Sequence, residues 1–273
     1  EGKHVTGLPT GYFELDELTC GLQNGEMIII AGRPSMGKTS LALNIAEHLG
    51  VVEKIPVAIF SMEMSSQQLA ERFLCSKSQI DSQLVRRGML TTEHYQKLVE
   101  ACGFFSEAPI YIDDTSLLTP LAFRSKARRL KSRYDIRCIM IDYLQLMSSG
   151  ARWTESRQQE ITEISRYLKA LARELNVPVV VLSQLNRASE SREDHRPRMS
   201  DLRESGSIEQ DADVVMLLHR EDCYHKGEEG YQGDNSAEVI IAKQRNGPTG
   251  SVKLIFREKV TRFENASFAE EPF

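Results

Sequence analysis

The sequence predicts an α/β fold: a mainly parallel twisted sheet flanked by helices, with antiparallel strands near the C-terminus. Three observations predict it. Short apolar, β-branched runs alternate with amphipathic segments of helical length, the pattern of a sheet wound on both sides. Most of those runs are continuously apolar, as strands covered on both faces must be. The last three strand-like runs follow one another through short turns with no helix between them, which suits antiparallel pairing.

In chain order, the strands fall at 27–31 "MIIIA", 57–61 "VAIFS", 110–112 "IYI", 138–142 "CIMID", 178–183 "PVVVLS" and 214–218 "VVMLL". Helices lie between them at 38–49, 65–77, 91–104, 120–133 and 155–175. The terminal strands are 237–243, 251–257 and 260–264, and "RNGPTG" (245–250) supplies the residues of a turn between the first two. The polar stretches 148–157 and 187–209, and the Gly- and charge-rich 222–236, read as mobile loops.

Composition narrows the classes. The 273 residues suffice for one large α/β domain or two small ones, and 41% hydrophobic with 27% charged content is ordinary for a globular chain. Net charge is −5, so no global basic field advertises a nucleic acid. Any such partner must be held by local cationic surface, repeated through oligomerisation. Five scattered cysteines without a CxxC pair read as free thiols of a reducing compartment. The longest apolar runs fall far short of a membrane span, and no charged-then-apolar leader opens the chain. The first residue is Glu1, which suggests a cut from a longer chain.

The chemistry is concentrated in "MIIIAGRPSMGKTSLALNIAEHL". Gly32, Gly37, Lys38 and Thr39 fit G-x4-G-K-[ST], with a buried strand before and an amphipathic helix after. A helix N-terminus offers unpaired N–H groups and a positive dipole end to phosphate. Gly37 lets the backbone curl around a β-phosphate, Lys38 sets a point charge against the β/γ oxygens, and the Thr39 hydroxyl is placed to ligate Mg²⁺.

Three further polar residues end apolar runs. Asp142 closes "CIMID", where a carboxylate reaches the Mg²⁺ shell beside a phosphate loop. Glu63, in "VAIFSMEMS", stands just past a strand's C-terminal end, where open α/β sheets bind ligands. Its position fits a base that deprotonates an attacking water equally with a helix-start acid favoured by the dipole. Gln184, in "VPVVVLSQLNR", fits either a γ-phosphate contact or a polar turn residue. In "AKQRNGPTGSVKLIF", Lys243 and Arg245 leave the same face of a strand, as solvated edge charges or as contacts to something anionic.

Together these pieces resemble the ATPase domain of the DnaB-type replicative DNA helicases, within the RecA-like hexameric motors. The phrases that carry the resemblance are "AGRPSMGKTS", "FSMEMS", "MIDYLQLM", "SQLNR", "DLRESGSIEQDADVV", "KQRNGPTG" and "VTRFENASF", and they cover nearly the whole chain. The resemblance implies a RecA-like P-loop NTPase fold, ATP and Mg²⁺ as cofactors, and a ring of six subunits around single-stranded DNA. Residues 1–20 then become the end of an interdomain linker and the lead-in to the domain, and 21–273 the ATPase domain, without the N-terminal collar.

It also implies roles. Ser35, Met36, Gly37, Lys38, Thr39 and Ser40 would line the phosphates, with Arg72 near the nucleotide. Glu63 would be the catalytic base, Thr39 and Asp142 the metal-linked pair, and Gln184 the γ-phosphate sensor. Lys243, Gln244 and Arg245 would reach the ATP of the neighbouring subunit, Arg245 as its arginine finger. Arg203, Glu204 and Gly206, in "DLRESGSIEQ", would hold the DNA backbone, which carries no sequence code. The implied activity is 5′→3′ translocation and unwinding in a bacterial or phage replisome in the cytoplasm, with primase and a loader as partners and no membrane. The alternatives are a recombinase or clock-type ATPase ring, and a nucleotide-gated assembly platform that does not unwind.

Other features read otherwise. Seven cations between Arg124 and Arg137 suggest a DNA groove, but Leu121, Ala127, Leu130 and Tyr134 recur at helical spacing and turn the charges outward. "HREDCYH" (219–225) has no zinc spacing, and the family carries an acidic, aromatic loop there without these histidines. Tyr143 and Trp153 read as packing residues.

Overall fold

In the computed structural model, the described residues are 5–116, 118–142, 157–192, 194–225 and 233–266, with backbone alone at 157 and 203–207. Residues 148–156 of the expected loop 148–157, residues 226–232 of the expected loop 222–236, Tyr143 and Trp153 lie outside them. Among the described residues one sheet of nine strands is formed, in the order β3-β2-β4-β5-β1-β6-β7-β8-β9. These are β1 Met27–Gly32, β2 Val57–Ser61, β3 Ile110–Asp113, β4 Cys138–Asp142, β5 Val179–Gln184, β6 Val214–His219, β7 Ser236–Gln244, β8 Gly250–Arg257 and β9 Arg262–Asn265. The first six pair in parallel and the last three antiparallel, as the run of turns without helices predicts.

The helices are α1 Phe13–Thr19, α2 Lys38–Glu47, α3 Ser66–Ser78, α4 Ser82–Arg86, α5 Thr92–Ser106, α6 Pro120–Tyr134, α7 Arg157–Leu175 and α8 Gly206–Asp211. Local chemistry sets their starts. Ser65 and Gln68 form a reciprocal capping box on α3, Thr91 and His94 one on α5, and Thr119 caps α6 ahead of Pro120.

The period of the strands builds two cores. On β1, Ile28 and Ile30 face α1, α2 and α3 through Leu15, Leu41, Ile45, Leu69 and Phe73. Met27 and Ile29 face α6, α7 and α8 through Phe123, Ile164, Leu168 and Ile208. Alternate residues of one apolar run therefore serve opposite layers, which is why the run is unbroken. The N-terminal segment joins the first core: Leu8 bridges Leu22, and Asp16 accepts bonds from the Thr10 N–H and hydroxyl.

Two expectations need correction. Leu121 is 72% exposed, and Phe123 takes its place in the core. The buried phase of α6 is 123, 127, 130 and 134, and position 121 is out of register with it. Its cations do face outward, and several are paired: Arg124 and Arg128 with Glu174, Lys126 with Asp113, Lys131 with Asp135. Second, 187–209 is not a featureless loop. It contains 3₁₀ turns at Arg187–Ser191 and Met199–Ser205 and the start of α8. Its apolar residues are too few for periodicity to register, yet Leu202 and Ile208 anchor it in the core.

Candidate nucleotide-binding site

The carboxyl edge of the parallel strands converges on one place. Gly32 is registered with Gln184 across β1 and β5, and Ser61 with Asp142 across β2 and β4, so Glu63 begins two residues beyond that edge. The turn from β1 to α2 then closes over it. Ser35 and Gly37 both have positive φ, at 66° and 98°. At Gly37 a Cβ would meet the Phe263 ring at 3.0 Å, so both its conformation and the ring above demand glycine.

These elements enclose a cavity of about 420 Å³ lined by Ser35, Gly37, Lys38, Thr39, Ser40, Glu63, Arg72, Asp142 and Gln184, among others. Nine residues singled out from scattered sequence motifs thus share one cavity. Thr39 Oγ1 donates to Asp142 Oδ2 at 2.8 Å. Lys38 Nζ folds back to the Arg33 carbonyl at 3.1 Å. Met36 is the exception: its side chain is buried in the core, so only its backbone can face a phosphate.

Electrostatically the cavity is under-solvated. Burial pushes the Lys38 ammonium below its ordinary pKa, with Asp142 and Glu63 pulling the other way. Burial likewise lowers Arg72 and raises Asp142, the latter against the Thr39 hydrogen bond. Charges that the fold desolvates gain most from a ligand of complementary charge. Among the described residues no group of three or more His, Cys, Asp or Glu is placed to hold a metal unaided. Thr39 and Asp142 offer hard oxygen donors, which suits Mg²⁺ that brings phosphates and waters as its other ligands.

Sequence reasoning missed Arg220, Phe256, Glu258 and Thr261, which line the same cavity. Arg220 is buried, donates to the Ser35 carbonyl at 3.1 Å and stands 4.1 Å from the Phe256 ring centre. Its position just past the carboxyl end of β6 is a signal that the strand-end rule could have used. The other three arrive through the pairing of β8 with β9, and of them only Thr261 lies in a phrase that carries the resemblance. Close by, His219 and His225 share Glu221, each at 3.0 Å, and His195 stacks on Tyr224.

A second network leaves the phosphate loop. Arg33 pairs with Glu190 at 2.6 Å and donates to the Leu185 carbonyl. The Asn186 N–H donates to the Asp201 carbonyl, and the Asp201 carboxylate takes both Arg192 Nη atoms at 2.7 and 2.6 Å. The turn holding Asp201 continues to Arg203 and Glu204 and into α8 at Gly206; only their backbone is described.

Lys243, Gln244 and Arg245 are not among the residues lining the cavity. They sit at and after the end of β7. Lys243 and Arg245 share one face and reach the C-terminus of α8. Gln244 leaves the other face and donates to the Leu18 carbonyl.

The chain is similar in sequence and fold to known proteins. The sequence profile described as the DnaB-like helicase C-terminal domain matches residues 7–265. A replicative DNA helicase DnaB of Geobacillus stearothermophilus is 54% identical over 96% of this chain. The replicative DNA helicase DnaC of Bacillus subtilis is 51% identical over the same share. The chain spans 57% of the length of each of these relatives. A solved structure described as an ATPase domain superposes with a TM-score of 0.90 at 40% identity, over 97% of this chain and 93% of that one. A DnaB-like replicative helicase described with its interactions with primase gives the same score and identity over 63% of its own chain.

Proposed function

The chain belongs to the DnaB-like helicase C-terminal domain family, and from that premise we propose that it is the ATP-hydrolysing motor of a hexameric replicative DNA helicase. The motor translocates 5′→3′ on single-stranded DNA and unwinds the duplex at the fork. Residues 1–20 lead in from an interdomain linker, and a collar, a primase and a loader complete the working protein. Its place is the cytoplasmic replisome of a bacterium or phage. No helix among the described residues is long and apolar enough to cross a membrane.

The observation that carries this reading is a division of labour. Lys38, Thr39, Glu63, Arg72, Asp142 and Gln184 share one cavity, while Lys243 and Arg245 stand outside it. The cavity holds the triphosphate; the outlying cations serve the neighbour's. Lys38 and the α2 N-terminus bind the β/γ phosphates, Glu63 takes a proton from the attacking water, and Gln184 contacts water and γ-phosphate. Mg²⁺, held by Thr39 and Asp142, would neutralise charge on the phosphate oxygens. Arg245 of an adjacent subunit stabilises the charge that develops on the transferring group. The backbone of 203–206 follows the DNA strand.

The test is strand displacement on forked DNA by the full-length protein. ATP-dependent unwinding that Lys38→Ala abolishes is expected. A ring that hydrolyses ATP at a DNA-stimulated rate without separating strands would favour the recombinase or assembly reading instead.

A further inference from the structure

Lys243 and Arg245 are engaged even without a neighbour. Lys243 Nζ donates to the carbonyls of Glu209, Gln210 and Ala212 at 2.6, 3.2 and 2.7 Å. An ammonium has three N–H groups, so this seat uses all of them. Arg245 Nη2 donates to the Gln210 and Asp211 carbonyls, and its Nε lies 3.6 Å from Asp213 Oδ1. These carbonyls belong to the last turn of α8 and the residue after it, where intrahelical partners run out and cations meet the negative end of the dipole. The opposite side of that turn is tied to α7 by Ser165 Oγ donating to Asp211 Oδ2. The helix so capped continues directly from the turn that holds Arg203 and Glu204.

We propose that the C-terminus of α8 is a second seat for Lys243 and Arg245, in competition with the triphosphate of the neighbouring subunit. The segment 203–211 is therefore capped while the interface is empty and uncapped when nucleotide fills it. This rests on the reading that these cations act in trans. The competition follows from donor arithmetic: Lys243 cannot give a hydrogen to a phosphate oxygen without surrendering one of three carbonyls. Burial, and then Arg245 beside it, lowers the Lys243 pKa, so its charge is incompletely satisfied in this seat and gains from a full anionic partner. Coupling of this kind is reciprocal. Single-stranded DNA that favours the uncapped segment must strengthen nucleotide engagement at the interface by the same factor.

Hydrogen exchange at the amides of Gln210–Ala212 tests the proposal in the assembled full-length protein, with and without a non-hydrolysable ATP analogue. The analogue is expected to speed exchange there about tenfold in the wild type, the order of a lost helix-end cation contact. Lys243→Met is expected to exchange fast without nucleotide and to change little when the analogue is added. Slow exchange at the β1 amides marks the variant as folded. Wild-type exchange indifferent to bound analogue would overturn the competition, and wild-type protection in Lys243→Met would overturn the seat. Neither outcome touches the trans reading, which stands or falls on hydrolysis by rings that mix Arg245→Ala with Lys38→Ala.

Discussion

Thr39 Oγ1 donates its proton to Asp142 Oδ2 across 2.8 Å, joining the first turn of α2 to the end of β4. The bond leaves the hydroxyl lone pairs and the second carboxylate oxygen as acceptors in the cavity, the donor set a hard cation needs. Asp142→Asn keeps the shape and removes the charge. Mg²⁺-supported ATP hydrolysis is expected to fall by about 10²-fold or more, while binding of ADP in EDTA changes little. Turnover assays paired with calorimetry separate the two, and unimpaired hydrolysis would remove Asp142 from the site.

The same carboxyl has a pH signature. Burial raises the Asp142 pKa, against the Thr39 hydrogen bond and with help from Glu63. The folded state therefore binds this proton more tightly than the unfolded one. Stability from this group is greatest below the ordinary Asp value and declines as pH rises through the folded value. The Tm of wild type is expected to fall relative to that of Asp142→Asn across that window in metal-free buffer and to recover with Mg²⁺-nucleotide. Melting curves for both proteins over the pH range decide it; a constant difference would refute the burial argument.

Lys38 extends the reasoning to a cation. Its ammonium is desolvated by burial and borrows a carbonyl of its own loop. Such a group costs stability when the cavity is empty and repays it when phosphate arrives. Lys38→Met is expected to melt at or above the wild-type temperature, by up to about 2–4 °C, and to lose nucleotide-induced stabilisation. A thermal-shift titration reads both quantities. A variant that melts far below wild type yet still responds to ATP would contradict the assignment.

Arg245→Ala addresses the interface. The side chain is 40% exposed and rests on α8 instead of the cavity of its own chain. Its removal is expected to leave nucleotide affinity intact and to lower kcat by about 10³-fold or more, the range for an arginine finger. Mixing the variant with Lys38→Ala gives rings in which some interfaces join an intact cavity to an intact finger. Partial rescue of hydrolysis in mixed rings is expected; none would mean that the cation acts within its own subunit.

Much of this was legible in the chain because the chemistry sits at strand ends. Gly37, Lys38 and Thr39 follow a run too apolar to be anything but a buried strand, and Asp142 and Gln184 each terminate another. Parallel strands bring their carboxyl ends together, so residues far apart in sequence meet without further information. Phe256 was not legible, since its approach depends on β8 and β9 folding over Gly37, whereas Arg220 was legible only through its place just past the end of β6. Leu121 was misplaced because a helical phase needs a fixed start, and Thr119 with Pro120 supplies it only once the cap is recognised. The turns at 187–205 were missed because they are held by Arg33–Glu190 and Arg192–Asp201, pairs that no local pattern joins.

Asp201 is where those pairs bear on function. Its carboxylate is 1% exposed, takes both nitrogens of Arg192 and the Arg198 N–H, and its carbonyl holds the Asn186 N–H, two residues past Gln184. Burial alone would raise its pKa, but these bonds together carry it below the ordinary value. The stability it contributes is therefore present above the ordinary Asp value and lost as pH falls through the folded one. Asp201→Asn keeps the volume, weakens the Arg192 pair and is expected to cost about 1–3 kcal/mol. If Asp201 only braces the fold, basal and DNA-stimulated ATP hydrolysis will fall together. If it transmits between Gln184 and the 203–206 backbone, basal hydrolysis stays near wild type and stimulation by single-stranded DNA is lost. The second outcome is expected, because Asp201 touches neither the cavity nor the cations of the interface. Hydrolysis rates with and without DNA, at a temperature where the variant is fully folded, distinguish the two.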